Sequence, residues 1–221
     1  MNGNAAVSKQ EILSRIRSAL NRAGPLASGV QEGLELRTMG APTHVRPALD
    51  EDPVTQFASK VALVSGTVAR CPSTAELSDF VVGYLSKEGL PLDIVTGHDD
   101  GLDVQWSNQL AVTRGLPTAA DPVSVTAAFA GVAETGTVVM LSSWQSPTTL
   151  NFLPATHIVV LKRSRILAHT EEVWSSLRRE HPNIPRAVNF ITGPSRTGDV
   201  EQVLQLGAHG PKRLHVILLE G

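Results

Sequence analysis

The stretch "VNFITGPSRTGDVEQVLQLGAHGPKRLHVILL", residues 188–219, decides how the rest of the chain is read. "VNFIT" and "LHVILL" are short apolar runs rich in β-branched residues, and "DVEQVLQL" between them reads as a helix opening at Asp199. A strand, a helix and a strand in that order are the usual source of a parallel pair, which points to an α/β fold. Gly193-Pro194-Ser195-Arg196-Thr197-Gly198 then forms the loop between strand and helix. In open α/β sheets ligands lie beyond the carboxyl ends of strands. Arg196 suits a two-pronged grip on a carboxylate or phosphate, and Ser195 and Thr197 offer hydroxyl donors. The same residues also fit an ordinary helix start. Ser195 or Thr197 would satisfy free amides, and Asp199 and Glu201 would complement the helix dipole while repelling an anion. Neither a P-loop nor a dinucleotide fingerprint is present.

Working upstream, "HIVVLK" is nearly all apolar, as a central strand buried on both faces should be. "TEEVWSSLRRE" carries acids at its start and arginines at its end, both favourable to a helix dipole. "VSVTAAFAGVAETGTVVMLSS" reads as two extended runs about Glu134-Thr135-Gly136, a hairpin turn in which Gly136 supplies positive φ. Glu134 there fits a nucleophile, a general base or a structural acceptor for loop amides. In "GAHGP", Gly207 suits a helix end and leaves His209 on a turn, where it fits either an acid–base role or a bond to backbone carbonyls.

Two further helices are marked by Asp52-Pro53 ahead of Phe57, Val61 and Val64, and by Ser73 and Glu76 as a capping box ahead of "LSDFVVGYLSKEG". "TVARC" and "LDIVT" are strands. At the N-terminus, residues 8–20 read as an amphipathic helix with Ser8 and Glu11 as a capping box and Ile12, Ile16 and Leu20 on one face. The polar, Gly/Pro-punctuated stretch after it reads as a linker. Residues 1–51 are therefore expected to be a helix and linker, and residues 52–221 an α/β domain.

Composition narrows the function. A formal net charge of −2 and 4% aromatics supply neither the basic surface nor the stacking platform of a general nucleic-acid binder. Cys71 is the single cysteine, so one chain has no disulfide and cannot hold a four-thiolate zinc or iron–sulfur site. The seven histidines show no paired helical spacing, and no metal site is expected. The apolar runs are too short for a membrane span, and the N-terminus has no signal-peptide core, so a cytoplasmic location is expected. Trp106, Trp144 and Trp174 read as packing residues.

Taken together, "ETGTVVMLSS", "LPATHIVVL" and "ITGPSRTGDVE…LGAHGPKRLHVILL" resemble the lactate utilization protein C family, the LUD-domain proteins, over about Asp52 to Glu220. The resemblance implies a fold similar to the sugar-phosphate isomerase/CoA-transferase superfamily. That is a three-layer, mixed and mostly parallel sheet with helices on both faces and an antiparallel hairpin portion. It also implies a cluster-free subunit of an L-lactate oxidation system, without evident chemistry of its own, acting with two iron–sulfur proteins that carry the clusters. Glu134, Thr135, Gly136, Gly193, Ser195, Arg196, Thr197, His209 and Gly210 fall in the family's signature segments and form the candidate site. Glu134 and His209 are its candidate catalytic groups, and the rest are candidate contacts to a small carboxylate, a phosphate or a partner. The alternative is a free-standing acyl-CoA transferase whose E-x-G turn presents Glu134 to a thioester. Val132-Ala133 ahead of the turn and Thr135 within it depart from that pattern.

Overall fold

The computed structural model describes the chain except residues 1–2, 23, 25, 40–45, 99–101, 103, 119, 198–204 and 208, and leaves aside the side chains of 3–8, 38, 39, 197, 205 and 206. The chain divides into two compact units, Met1–Val45 and Arg46–Gly221. The first contains α1 (Gly3–Ala19) and α2 (Ser28–Met39). Ser8 thus lies inside α1 instead of capping it, and part of the expected linker is helical. In α2, Val30 and Leu34 recur at i, i+4, too sparse a pattern to stand out in so polar a stretch. No helix among the described residues is long and apolar enough to cross a membrane.

The second unit starts with α3 (Pro53–Leu63), and the sequence explains why it begins there. The Asp52 carboxylate accepts from the amides of Val54 at 3.1 Å and Thr55 at 3.3 Å, and Pro53 takes the first helical position, where an N–H is not needed. Next come β1 (Thr67–Cys71) and α4 (Leu77–Lys87), preceded by a 3-10 turn from Thr74 to Glu76. The capping box expected at Ser73 differs in detail: its hydroxyl donates to the Glu76 carboxylate at 3.0 Å instead of satisfying a helix amide. β2 (Asp93–Thr96), β3 (Ala111–Arg114) and β4 (Val123–Ala127) follow, then β5 (Ala130–Val132), β6 (Thr137–Leu141), β7 (Thr156–Lys162), β8 (Ile166–Leu167) and α5 (Thr170–Glu180). The chain closes with β9 (Val188–Ile191), the two-residue strands β10 (Arg196–Thr197) and β11 (Gln205–Leu206), and β12 (Arg213–Leu219).

Six strands form a wholly parallel sheet in the order β1-β12-β7-β4-β2-β3. A second sheet, β8-β5-β6-β9, is antiparallel except for the β5–β8 pair. Alternation along β7 shows the layering. Ile158 and Val160 join Leu77, Val81 and Leu85 of α4 in one core. Val159 and Leu161 face the other way, onto Phe57 and Val61 of α3 and Val138 and Met140 of the second sheet. A strand covered on both faces must be apolar throughout, as "HIVVLK" nearly is. α5 lies behind the second sheet, where Val173 packs with Ala130, Val132 and Val139.

Three expectations are corrected. β9 does not pair with β12; it lies antiparallel to β6, with Ile191 opposite Val138, so the C-terminal segments are no strand–helix–strand unit of one sheet. The run before the hairpin is not one strand either. It breaks at Ala128-Phe129, sending β4 to the parallel sheet and β5 to the other. The expected helix "DVEQVLQL" ends instead in β11, where Leu206 and Gln205 pair antiparallel with Arg196 and Thr197; its earlier residues lie outside those described.

Candidate functional site

The signature loops close on the end of α3. Gly193 has φ +84°, and a Cβ there would come within 2.8 Å of the Val64 carbonyl oxygen. Gly136 has φ +69° and lies as close to the Lys60–Val61 backbone. Only glycine serves at both, through backbone conformation and lack of space together. The hydroxyls of Thr135, Thr137 and Thr192 link the two loops, at 2.6 Å and 2.7 Å. Arg196 reaches the same helix end, donating to the Ser65 hydroxyl at 2.6 Å.

Beyond Gly193 the chain folds back on itself. The Ser195 amide donates to the Pro211 carbonyl at 2.9 Å, and the Gly207 amide to the Ser195 carbonyl at 2.8 Å. Gly210 lets the strands come together, since a Cβ there would lie 3.2 Å from that of Ser195. These contacts make a cleft of about 320 Å³ lined by Gly193, Ser195, Arg196, His209 and Gly210, with Asn151 and His157 deeper inside. Its size is near the low end for small-molecule pockets. The cleft lies at the carboxyl end of β9, as expected, but at the amino ends of β7 and β12: His157 is the second residue of β7 and Leu214 the second of β12. The reversal follows from β9 belonging to the antiparallel sheet.

No carboxylate is among the described residues that line this cleft, whereas Arg196 is, and one N–H to Ser65 leaves its guanidinium with further donors. His157 is fully buried, its Nε2 is 2.7 Å from the Thr126 hydroxyl, and its Nδ1 has no hydrogen-bond partner. Burial pushes its pKa down to about 3, so the imidazole is neutral near pH 7. An exposed His209 at the mouth and a neutral His157 in the floor leave Arg196 as the fixed charge. The arrangement suits a small monoanion that also carries a hydroxyl or oxo group.

Glu134 stands apart. Its carboxylate is 3.2 Å from Nδ1 of His169, the residue ahead of α5, and its amide donates to the Ala168 carbonyl at 3.1 Å. It does not line the cleft, nor do Thr135 and Gly136. The structure therefore gathers Gly193, Ser195, Arg196, His209 and Gly210, and joins the Glu134 turn to them through the threonine hydroxyls and the β6–β9 pairing. The backbone of Thr197 forms β10; its side chain lies outside those described. Sequence reasoning missed Asn151 and His157. His157 lies within "LPATHIVVL", a segment already singled out, but a strand pattern does not separate a core histidine from a cleft one. Trp144 is 78% exposed, beside His98, and is no packing residue.

Residues 114–219, which include every residue of this cleft, match the LUD domain family. Among curated relatives, lactate utilization protein C of Anoxybacillus flavithermus is 36% identical over 88 residues, covering 40% of this chain and 39% of that one. The protein of the same name from Geobacillus thermodenitrificans is 27% identical over 165 residues, 72% of this chain and 65% of that one. The one from Bacillus subtilis is 34% identical over 100 residues, 44% and 42%. The chain thus spans from 39% to 65% of the length of these three relatives. A crystal structure of a DUF162 family protein from Deinococcus radiodurans superposes with a TM-score of 0.56 at 18% identity, covering 78% of this chain and 99% of that chain. At that identity the likeness is one of fold.

Proposed function

On the premise that the chain belongs to the LUD-domain family, we propose that it acts in lactate utilization by binding a small carboxylate in the Arg196 cleft. The observation that carries this reading is the convergence of Arg196, Ser195 and His209 on one cleft of about 320 Å³ with no carboxylate among its described lining residues. A 2-hydroxy or 2-oxo acid fits its chemistry: the carboxylate pairs with the guanidinium, and the neighbouring oxygen meets the Ser195 hydroxyl or His209. Cys71 is buried, its thiol donating to the Ser73 carbonyl at 3.1 Å, and burial pushes its pKa up. In this reading electron transfer from lactate falls to iron–sulfur partner proteins, as the family resemblance implies, with this chain as the cluster-free subunit. The acyl-CoA-transferase alternative gains no support from Glu134, whose carboxylate faces His169 and not a lined cleft.

Titration calorimetry with L-lactate, pyruvate and acetate tests the reading, together with growth on L-lactate of a deletion strain complemented by the wild type or by Arg196→Ala. Expected are binding of the two 2-substituted acids, weaker binding of acetate, and loss of binding by about tenfold or more for Arg196→Ala, in keeping with removal of a charge-assisted pair. Complementation by Arg196→Ala should fail. Undiminished binding and full growth with that variant would overturn the proposal.

A further inference from the structure

The opposite end of the parallel sheet holds a second cavity, of about 460 Å³. It opens where three adjacent strands finish: β4 at Ala127, β7 at Lys162 and β12 at Leu219. Carboxyl ends of neighbouring parallel strands are where open α/β sheets receive ligands, because the chain leaves the sheet there and the loops diverge. The Arg196 cleft lies at the amino ends of two of these strands, so the two places are distinct.

The cavity has an apolar interior and a cationic rim. Partly exposed Leu102, Ala127, Phe129 and Leu141 supply the interior wall, over the buried Leu77, Val160 and Leu219. Lys162, Arg165 and His181 stand around it with the hydroxyls of Ser143 and Ser146, and no carboxylate is among the described residues that line it. Arg165 is held in place from behind: Glu180, which is not part of the lining, accepts from it at 2.6 Å, and its guanidinium lies 5.4 Å from the Phe129 ring centroid. Phe129 in turn meets the His181 ring edge-on, with centroids 5.6 Å apart. The Lys162 ammonium, the held guanidinium of Arg165, the His181 ring and the two hydroxyls offer more donors than one carboxylate needs and match the oxygen count of a phosphate. Flat aromatic and aliphatic walls below them fit a planar apolar body.

We propose that this cavity binds an organic phosphate of the mononucleotide class, with its ring among Leu102, Leu141 and Phe129 and its phosphate between Lys162 and Arg165. The proposal does not depend on the lactate reading of the other cleft. Calorimetric titration of the full chain with adenosine 5′-monophosphate, uridine 5′-monophosphate, adenosine and inorganic phosphate tests it. At least one nucleotide should bind, and adenosine and phosphate alone should bind about tenfold more weakly or worse. Lys162→Glu should weaken nucleotide binding by at least about tenfold without moving the melting temperature, because the side chain is exposed. Arg196→Ala should leave it unchanged. Failure of both nucleotides to bind at millimolar concentration would overturn the proposal. So would equal affinity for adenosine and its monophosphate, or an unaltered affinity in Lys162→Glu.

Discussion

Gly193 shows how a single residue can be legible in sequence and still be read for the wrong reason. A Gly-Pro after a strand signals a turn whatever follows, and φ +84° agrees. What fixes glycine there, however, is the Val64 carbonyl of α3, more than a hundred residues away in the chain, and no local pattern carries that contact. Gly193→Ala should therefore destabilise the protein by about 2 kcal/mol, from backbone strain and the clash together. Gly83, in the interior of α4 with nothing within 4 Å of an added Cβ, provides the contrast. Gly83→Ala should stabilise by about 1 kcal/mol through helix propensity alone. Urea unfolding of the two variants reads both signs; a neutral Gly193→Ala would mean that the loop is not held against α3.

At the scale of elements, boundaries with their own chemistry are visible in the sequence. α3 and α5 begin and end where their caps and charges place them, and β7 reads as central because both its faces must be apolar. The failures are of pairing. "VNFIT" has the composition of any buried strand, and nothing local says whether its neighbour is β12 or β6, since that choice is made by packing of one sheet on the other. The break at Ala128-Phe129 is hidden for the same reason: two strands joined by apolar residues look like one. The site follows the pairing: its loop stands at the carboxyl end of β9 and, because β9 runs antiparallel to β6, at the amino ends of β7 and β12. α3 matters here beyond its own stability, as its end supports Gly136, Gly193 and Arg196 at once. Asp52→Ala removes the one oxygen that accepts from two amides at its start and should lower the melting temperature, whereas Asp52→Asn should recover most of the loss. Melting curves for the pair separate a capping role from a charge effect; equal losses in both would favour charge.

For the molecule as a whole, the parallel sheet holds two histidines in adjacent central strands, and both must stay neutral for the sheet to close. Burial pushes His157 in β7 from its ordinary value of 6.5 down to about 3. Burial, with help from Lys87, pushes His215 in β12 down to about 4. The imidazole of His215 stacks on Tyr84 at 3.8 Å between centroids and meets the Thr67 hydroxyl at 2.7 Å. In the unfolded chain both rings take up a proton as pH falls through about 6.5, while the folded chain does not until far lower. Their contribution is therefore fully present above about pH 6.5 and is lost progressively on acidification toward their folded values. Each histidine should remove on the order of 1 kcal/mol per pH unit within that window. The carboxylates with lowered pKa, Asp52 and Glu180, act in the same direction but only below their ordinary values of 3.8 and 4.5. The interval from about pH 6.5 to 5 thus isolates the histidines. Urea unfolding at half-unit steps should show a plateau above that interval and a steady decline within it. His215→Phe, which keeps a ring against Tyr84 but cannot titrate, should remove about half the slope. A flat profile down to pH 5 would mean that the imidazoles reach solvent and carry protons in the folded state.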